Sequence, residues 1–202
     1  MMQRSTRRQI LTMFGALALL PLPAQAAPDK DKALVVYLSR TQNTAAVAHL
    51  IQQQTGADLA VLEPQTPYPQ NYRATVEQVA SENARGYLPP LKPLAHNPAA
   101  YTTIYIGFPT WGMQLPPPVK SWLTHTDLRG KTVIPFNTHA GSGTGSSFDD
   151  IKRLCRGCTV LPGLSLQGGR ERDGVLLAIQ GARQEAVKQQ VIRWLQSAGQ
   201  AR

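Results

Sequence analysis

The sequence predicts an α/β fold, a three-layer doubly wound sandwich around a five-stranded parallel sheet. Three observations carry the prediction. The strand-like segments are continuously apolar rather than alternating, as strands covered on both faces must be. They interleave with stretches whose apolar residues recur at helical spacing. The chain of 202 residues, 42% hydrophobic and 16% charged, suits one well-buried domain and excludes a disordered or fibrous class.

Ala33 to Leu38 is the first strand, and after the polar loop Ser39 to Asn43 a helix runs over Thr44 to Gln54, with Val47, Leu50 and Ile51 on one face. Asp58 to Glu63 gives a short second strand, and Pro64 to Pro69 breaks the chain. Tyr72, Val76, Val79 and Ala80 share one face of a helix that stops before Gly86. The proline-rich passage Pro89 to Pro93 reads as a loop leading to a third strand over Tyr101 to Phe108. Val119, Trp122 and Leu123 mark a short helix, and Lys131 to Phe136 a fourth strand that runs into a glycine-rich loop from Asn137 to Ser147. A helix over Phe148 to Leu154 precedes the fifth strand, Val160 to Leu166. Val187, Val191, Trp194 and Leu195 define the last helix, from about Ala182 onward. Between Gly168 and Gln180 the pattern fits a strand extension or a packed loop equally well.

In doubly wound sheets ligands sit beyond the C-terminal strand ends, near the switch in strand order. Three loops there are chemically unusual. Ser39-Arg40-Thr41-Gln42-Asn43-Thr44 places hydroxyls, an amide and unpaired first-turn N–H groups at a helix start, the makings of an anion site. Ordinary helix capping by Thr41 or Asn43 is the alternative. Pro109-Thr110-Trp111-Gly112 offers a flat apolar ring beside a permissive backbone, although Trp111 could also simply cap the core. Thr138, His139, Gly141, Ser142 and Gly143 combine hydroxyls with close backbone approach, or form a flexible surface loop.

Taken jointly, these loops resemble those of the flavodoxins, in particular members with a Y-S-R-T-G-N-T phosphate loop, a P-x-W-x-G second loop and a T-x-x-G-S-G third loop. The likeness runs from about Lys32 to Ala198. It implies a flavodoxin-like fold and non-covalent binding of flavin mononucleotide (FMN). Ser39, Arg40, Thr41, Gln42, Asn43 and Thr44 match the phosphate loop. Pro109, Thr110, Trp111 and Gly112 match the loop on one face of the isoalloxazine, and Thr138, His139, Gly141, Ser142 and Gly143 match the loop along its other side. Gly112 is the counterpart of a peptide that reorients when flavodoxin flavin is reduced.

The sequence departs from that pattern in three ways. Gln42 stands where the phosphate loop usually has glycine. The charge balance, 21 Lys and Arg against 12 Asp and Glu, is basic where flavodoxins are mostly acidic. Cys155-Arg156-Gly157-Cys158 adds a C-x-x-C pair at a helix end, which favours a small structural disulfide over free thiols or a functional dithiol.

Residues 1–26 read as an export signal. Arg4, Arg7 and Arg8 precede an apolar run from Ile10 to Leu20 and an Ala24-Gln25-Ala26 cleavage site, leaving residues 27–202 as the FMN-binding domain. Ser5 to Leu11 resembles the twin-arginine signal. The run is too short for a membrane anchor, so the membrane is met only in transit to the periplasm. Without those three arginines, 18 basic and 12 acidic residues remain, a net charge of +6. No nucleic-acid motif accompanies that surplus. Arg170, Arg172 and Arg183 read as a solvated face, and His49, His96 and His125 show no metal-ligand spacing. The resulting expectation is a monomeric electron carrier that exchanges electrons with redox partner proteins. An FMN-dependent reductase of a quinone or similar small acceptor is the main alternative, although it needs a substrate shelf beside the ring and no acid, base or nicotinamide site from which to build one is visible, and a flavin-free binding module is the second.

Overall fold

A computed structural model of the protein describes residues 32–200; the export signal expected over residues 1–26 lies outside them. The chain order is β1 (Ala33–Tyr37), α1 (Asn43–Thr55), β2 (Asp58–Val61), α2 (Tyr72–Arg85), β3 (Thr103–Pro109), α3 (Pro117–His125), β4 (Thr132–His139), α4 (Ser147–Leu154), β5 (Thr159–Val160), β6 (Leu164–Gln167) and α5 (Gly181–Ser197).

All strand pairs are parallel, in the order β2-β1-β3-β4-β5, with β6 following β5 along the outer side of β4. The three-layer, doubly wound sandwich is therefore as expected, and its fifth strand comes in two pieces. β5 pairs with Thr132 and Val133, β6 with Phe136 to His139. Opposite the gap stands Pro135, which has no N–H to offer a ladder. β4 itself extends through Asn137, Thr138 and His139, residues the sequence assigned to a loop because glycines follow so closely. Pairing with β3 up to Pro109↔Thr138 carries the strand past the point where apolar patterning ends.

Successive residues of each strand feed opposite cores, following the period of two. Leu34, Val36, Ile104, Ile106 and Val133 meet Val119 and Trp122 of α3 and Ile151 of α4. Val35, Tyr37, Tyr105, Ile134 and Phe136 meet Val47 and Ile51 of α1 and Val187, Val191 and Trp194 of α5. No α2 side chain enters either cluster; Leu91 and Leu94, from the proline-rich passage, pack against the first one instead. That passage is tied back by the Pro64–Leu91 bridge. Cys155 and Cys158 form a disulfide joining the end of α4 to the start of β5.

Candidate functional site

Because the strands are parallel, the ends of β1, β3 and β4 deliver their loops to one edge, where chain order reverses between β1 and β3. A cavity of about 920 Å³ opens there. Of the residues singled out in the sequence, Arg40, Thr41, Asn43, Pro109, Thr110, Trp111, Gly112, Thr138, His139, Gly141 and Ser142 line it. Ser39, Gln42, Thr44 and Gly143 do not, and each has a structural task.

The first loop bends tightly into α1. Gln42 holds a left-handed backbone (φ 65°, ψ −2°) at the residue preceding the helix, with its side chain exposed and no side-chain cap. This is the conformation that glycine adopts freely. Ser39 Oγ accepts from Ala45 N–H at 3.2 Å, so neither Thr41 nor Asn43 caps the helix. The first turn carries no acidic side chain.

Asn43 is buried and committed elsewhere. Its Oδ1 accepts from the N–H groups of Ala178 (2.9 Å) and Ile179 (3.2 Å), and its Nδ2 donates to Leu176 O (2.6 Å) and Thr41 Oγ1 (3.0 Å). Residues 168–180 are thus a loop packed onto α1. Since Thr41 Oγ1 accepts from Asn43, its own proton is free to donate. Thr44 Oγ1 and Thr138 Oγ1 lie 2.8 Å apart and buried, linking the first loop to β4.

Arg40 is a strut. Its guanidinium makes a two-pronged ion pair with Glu171 (2.8 Å) and donates to the carbonyls of Pro69 and Gln70, both at 2.8 Å. The side chains of both partners are well covered, 16% and 18% exposed, so the pair fixes three loops to one another.

The second loop is a tight reversal. Trp111 and Gln114 bridge each other while Gly112 (φ 58°) and Met113 (φ 61°) both hold positive φ, the signature of a type I′ turn. The third loop is buttoned to it. Thr110 Oγ1 donates to Gly143 O (2.9 Å), Asn137 Nδ2 donates to Thr110 Oγ1 (2.6 Å), and Ser146 N–H donates to Met113 O (3.0 Å). A Cβ on Gly145 would stand 1.9 Å from Met113 O, so only glycine permits this approach. His139 Nδ1 accepts from Gly141 N–H (3.0 Å), and burial holds its pKa below the ordinary value. The third loop is therefore hydrogen-bonded in place.

Trp111 is half-buried, lines the cavity and also packs against the core, with its ring edge-on to Tyr68 at 5.0 Å. Tyr68 donates to the buried carboxylate of Glu82, whose other oxygen accepts from Gln78 Nε2 (2.8 Å). Burial, reinforced by Glu82, raises the Tyr68 phenol far above its ordinary range. Sequence reading missed this pair because Tyr68 lies in a proline-bounded stretch and Glu82 looks like a surface helix residue. It likewise missed that the face of α2 bearing Tyr72 and Val76, together with Arg170 and Arg172, lines the cavity; the two arginines pair with Asp173 at 3.1 Å.

Residues 32–179 match the protein family described as Flavodoxin. Among solved structures, a presumed flavoprotein from Bacteroides eggerthii DSM 20697 aligns with 24% identity and a TM-score of 0.67, covering 83% of this chain and 98% of that one. A second, from Bacteroides uniformis ATCC 8492, aligns with 27% identity and a TM-score of 0.66, covering 81% and 99%. A flavoprotein in complex with FMN from Lactobacillus acidophilus NCFM aligns with 21% identity and a TM-score of 0.56, covering 66% and 92%. No curated protein matches. The FMN expected from the sequence is the cofactor that this fold supports, and with most of its length matched the chain belongs to the flavodoxin family.

Proposed function

We propose that this protein is an FMN-binding electron carrier, exported to the periplasm and monomeric, that accepts electrons from one partner protein and passes them to another. The observation that carries the reading is the convergence of three loops of complementary chemistry on one cavity. The first presents hydroxyl and helix N-terminal N–H donors free of acidic side chains, as a phosphate needs. The second and third present an aromatic ring and close backbone, as a flat heterocycle needs.

Bound FMN would supply reversible one- and two-electron transfer. Thr41 would hold the phosphate with the first-turn N–H groups of α1, while Arg40 and Asn43, both committed to their own partners, keep that loop in place. Trp111 would flank the ring, and its edge contact with Tyr68 fixes its plane. The buttons between Thr110 and Gly143 and between Met113 and Ser146 hold the second and third loops at constant spacing, so the ring meets a preformed slot.

Titration of stripped protein with FMN should show saturable binding near one to one. Thr41→Ala should weaken it about tenfold by removing a charge-assisted hydrogen bond. Trp111→Ala should weaken it by one to two orders of magnitude, from roughly 1–3 kcal/mol of lost stacking and burial. Absence of saturation, or indifference to both substitutions, defeats the reading.

A further inference from the structure

Seven large apolar side chains are exposed among the described residues, and five of them surround the cavity. Tyr72 and Val76 line it from α2, and Met113 stands between the lining residues Gly112 and Gln114. Val175, with Leu176 next to it in the chain, lines a smaller cleft of about 380 Å³ that shares Gly168 and Arg170 with the cavity. These five side chains are 42–55% exposed. Apolar groups gathered in this way and rimmed by polar ones mark a surface that another molecule covers. Tyrosine, methionine and arginine are the residue types that protein interfaces favour.

The rim is basic. Arg40, Arg170, Arg172 and Arg183 line the cavity or the cleft, against two carboxylates, Glu171 and Asp173. Arg40 occupies Glu171, Arg170 and Arg172 share Asp173 at 3.1 Å each, and Arg183 meets only the carbonyl of Gln167. Two positive charges are left unmatched at the mouth. Arg73 and Glu77 on α2 cancel each other at 3.0 Å. The first-turn N–H groups of α1 and Thr41 answer the phosphate of FMN, so the exposed charge stays with the arginines. These are held in place: Arg170 Nε donates to Ala140 O (3.0 Å), Arg170 and Val175 bridge each other, and the Arg40–Glu171 pair ties the turn between them to the first loop. Within that turn the Arg172 side chain is 73% exposed, and its terminal N–H groups have no acceptor among the described residues. A surface fixed in advance loses little freedom on docking.

We propose that the cavity mouth is the docking face for an acidic electron-transfer protein, which sets carboxylates against Arg170, Arg172 and Arg183 and apolar groups against Tyr72, Val76, Met113 and Leu176. The proposal rests on the electron-carrier reading and gives the partner its charge. Opposite charges steer the encounter and fix its orientation, and a partner seated over the cavity has its redox centre beside the flavin. A second copy of this chain fits less well, because two-fold pairing sets the same unmatched arginines against each other.

Horse-heart cytochrome c and its succinylated form test this, since they carry the same haem on a basic and an acidic surface. FMN-loaded protein, freed of unbound FMN and reduced anaerobically to its end point, is mixed with each by stopped flow. Two ferric haems become ferrous for each flavin that returns to the oxidised form, and the flavin's protons pass to water. The ratio of the succinylated to the unmodified rate should be about tenfold higher at about 10 mM than at about 300 mM ionic strength. Arg172→Gln/Arg183→Gln should reduce that gain to about twofold. Arg129→Gln/Arg156→Gln, an equal loss of charge beside the disulfide and before the start of β5, should keep it. All four positions are exposed, so the fold should tolerate the changes, with circular dichroism as the check. A native gain near one overturns the proposal, as does an equal loss in both pairs of variants, which would mean that net charge alone steers. So does retention of the native chain, but not of Arg172→Gln/Arg183→Gln, on phosphatidylglycerol vesicles without a preference between the cytochromes, which would give the face to a lipid surface. A dimer in sedimentation that Leu176→Ser dissolves overturns it in favour of a second copy. Absence of FMN binding, or transfer to neither cytochrome, overturns the electron-carrier reading as well, whereas equal transfer to both overturns this proposal alone.

Discussion

Gln42 and His139 show how single side chains set the terms of the cavity. A left-handed backbone costs an L-residue roughly 1–2 kcal/mol, and Gln42 bears that cost at φ 65°. Glycine would remove the strain but release about 0.4–1 kcal/mol of unfolded-state entropy. Gln42→Gly should therefore raise stability by up to about 1 kcal/mol, and Gln42→Val, stiffer at that φ, should lower it by about 1 kcal/mol or more, both read from urea unfolding of stripped protein. Equal loss in both variants would mean that the Gln42 side chain makes a contribution of its own. His139 has the opposite character: its ring nitrogen accepts from Gly141, so protonation sets N–H against N–H in a half-buried place. The folded chain then binds that proton less readily than the unfolded chain, whose pKa is near 6.5. Stability should be complete above pH 6.5 and fall as pH drops from there toward the folded-state midpoint. A ring titration by NMR with its midpoint at or above 6.5 would refute this, and His139→Gln should flatten the acid-side slope.

Among elements, those that pattern makes legible are the ones whose apolar residues face other apolar residues. Strands β1 and β3 and helices α1 and α5 fall where the sequence puts them, because a buried run or stripe has one solution. Periodicity also found the apolar face of α2 correctly, yet it reports which residues share a face and is silent on what the face meets. The three phosphate-loop residues Ser39, Asn43 and Thr44 were legible as polar and loop-forming, but their commitment to Ala45, to residues 176–179 and to Thr138 depends on partners up to 136 residues away. The strand break opposite Pro135 escaped for a similar reason, since the proline and the gap lie on different strands. The disulfide that joins α4 to β5 sits at the start of β5, while the loops of the cavity lie beyond the ends of β1, β3 and β4. Replacing both Cys155 and Cys158 by alanine should lower unfolding free energy by about 2 kcal/mol, the chain-entropy value for so short a loop, and leave FMN affinity within about twofold. A matching fall in FMN affinity would show that the staple reaches the cavity.

At the scale of the whole molecule, the proposed export has a test of its own. Replacing Arg7 and Arg8 by lysine should leave precursor in the cytoplasm if the twin-arginine reading holds; normal export of that variant would point to an ordinary secretory signal. Folded-state export suits a protein whose cofactor slot is assembled from loops far apart in sequence, since the slot exists only once the sheet has formed. The separation of duties between α2 and the proline-rich passage has a different kind of consequence. In most small domains, recutting a binding wall also unseals the core, because one helix serves both. Here Leu91 and Leu94 pack against the core and Tyr72 and Val76 face the cavity, so that wall can be rewritten at a cost of about 0.5 kcal/mol or less per exposed position. That makes this flavodoxin a scaffold on which selection, natural or in the laboratory, can reshape one wall of the cavity while the core stays as it is.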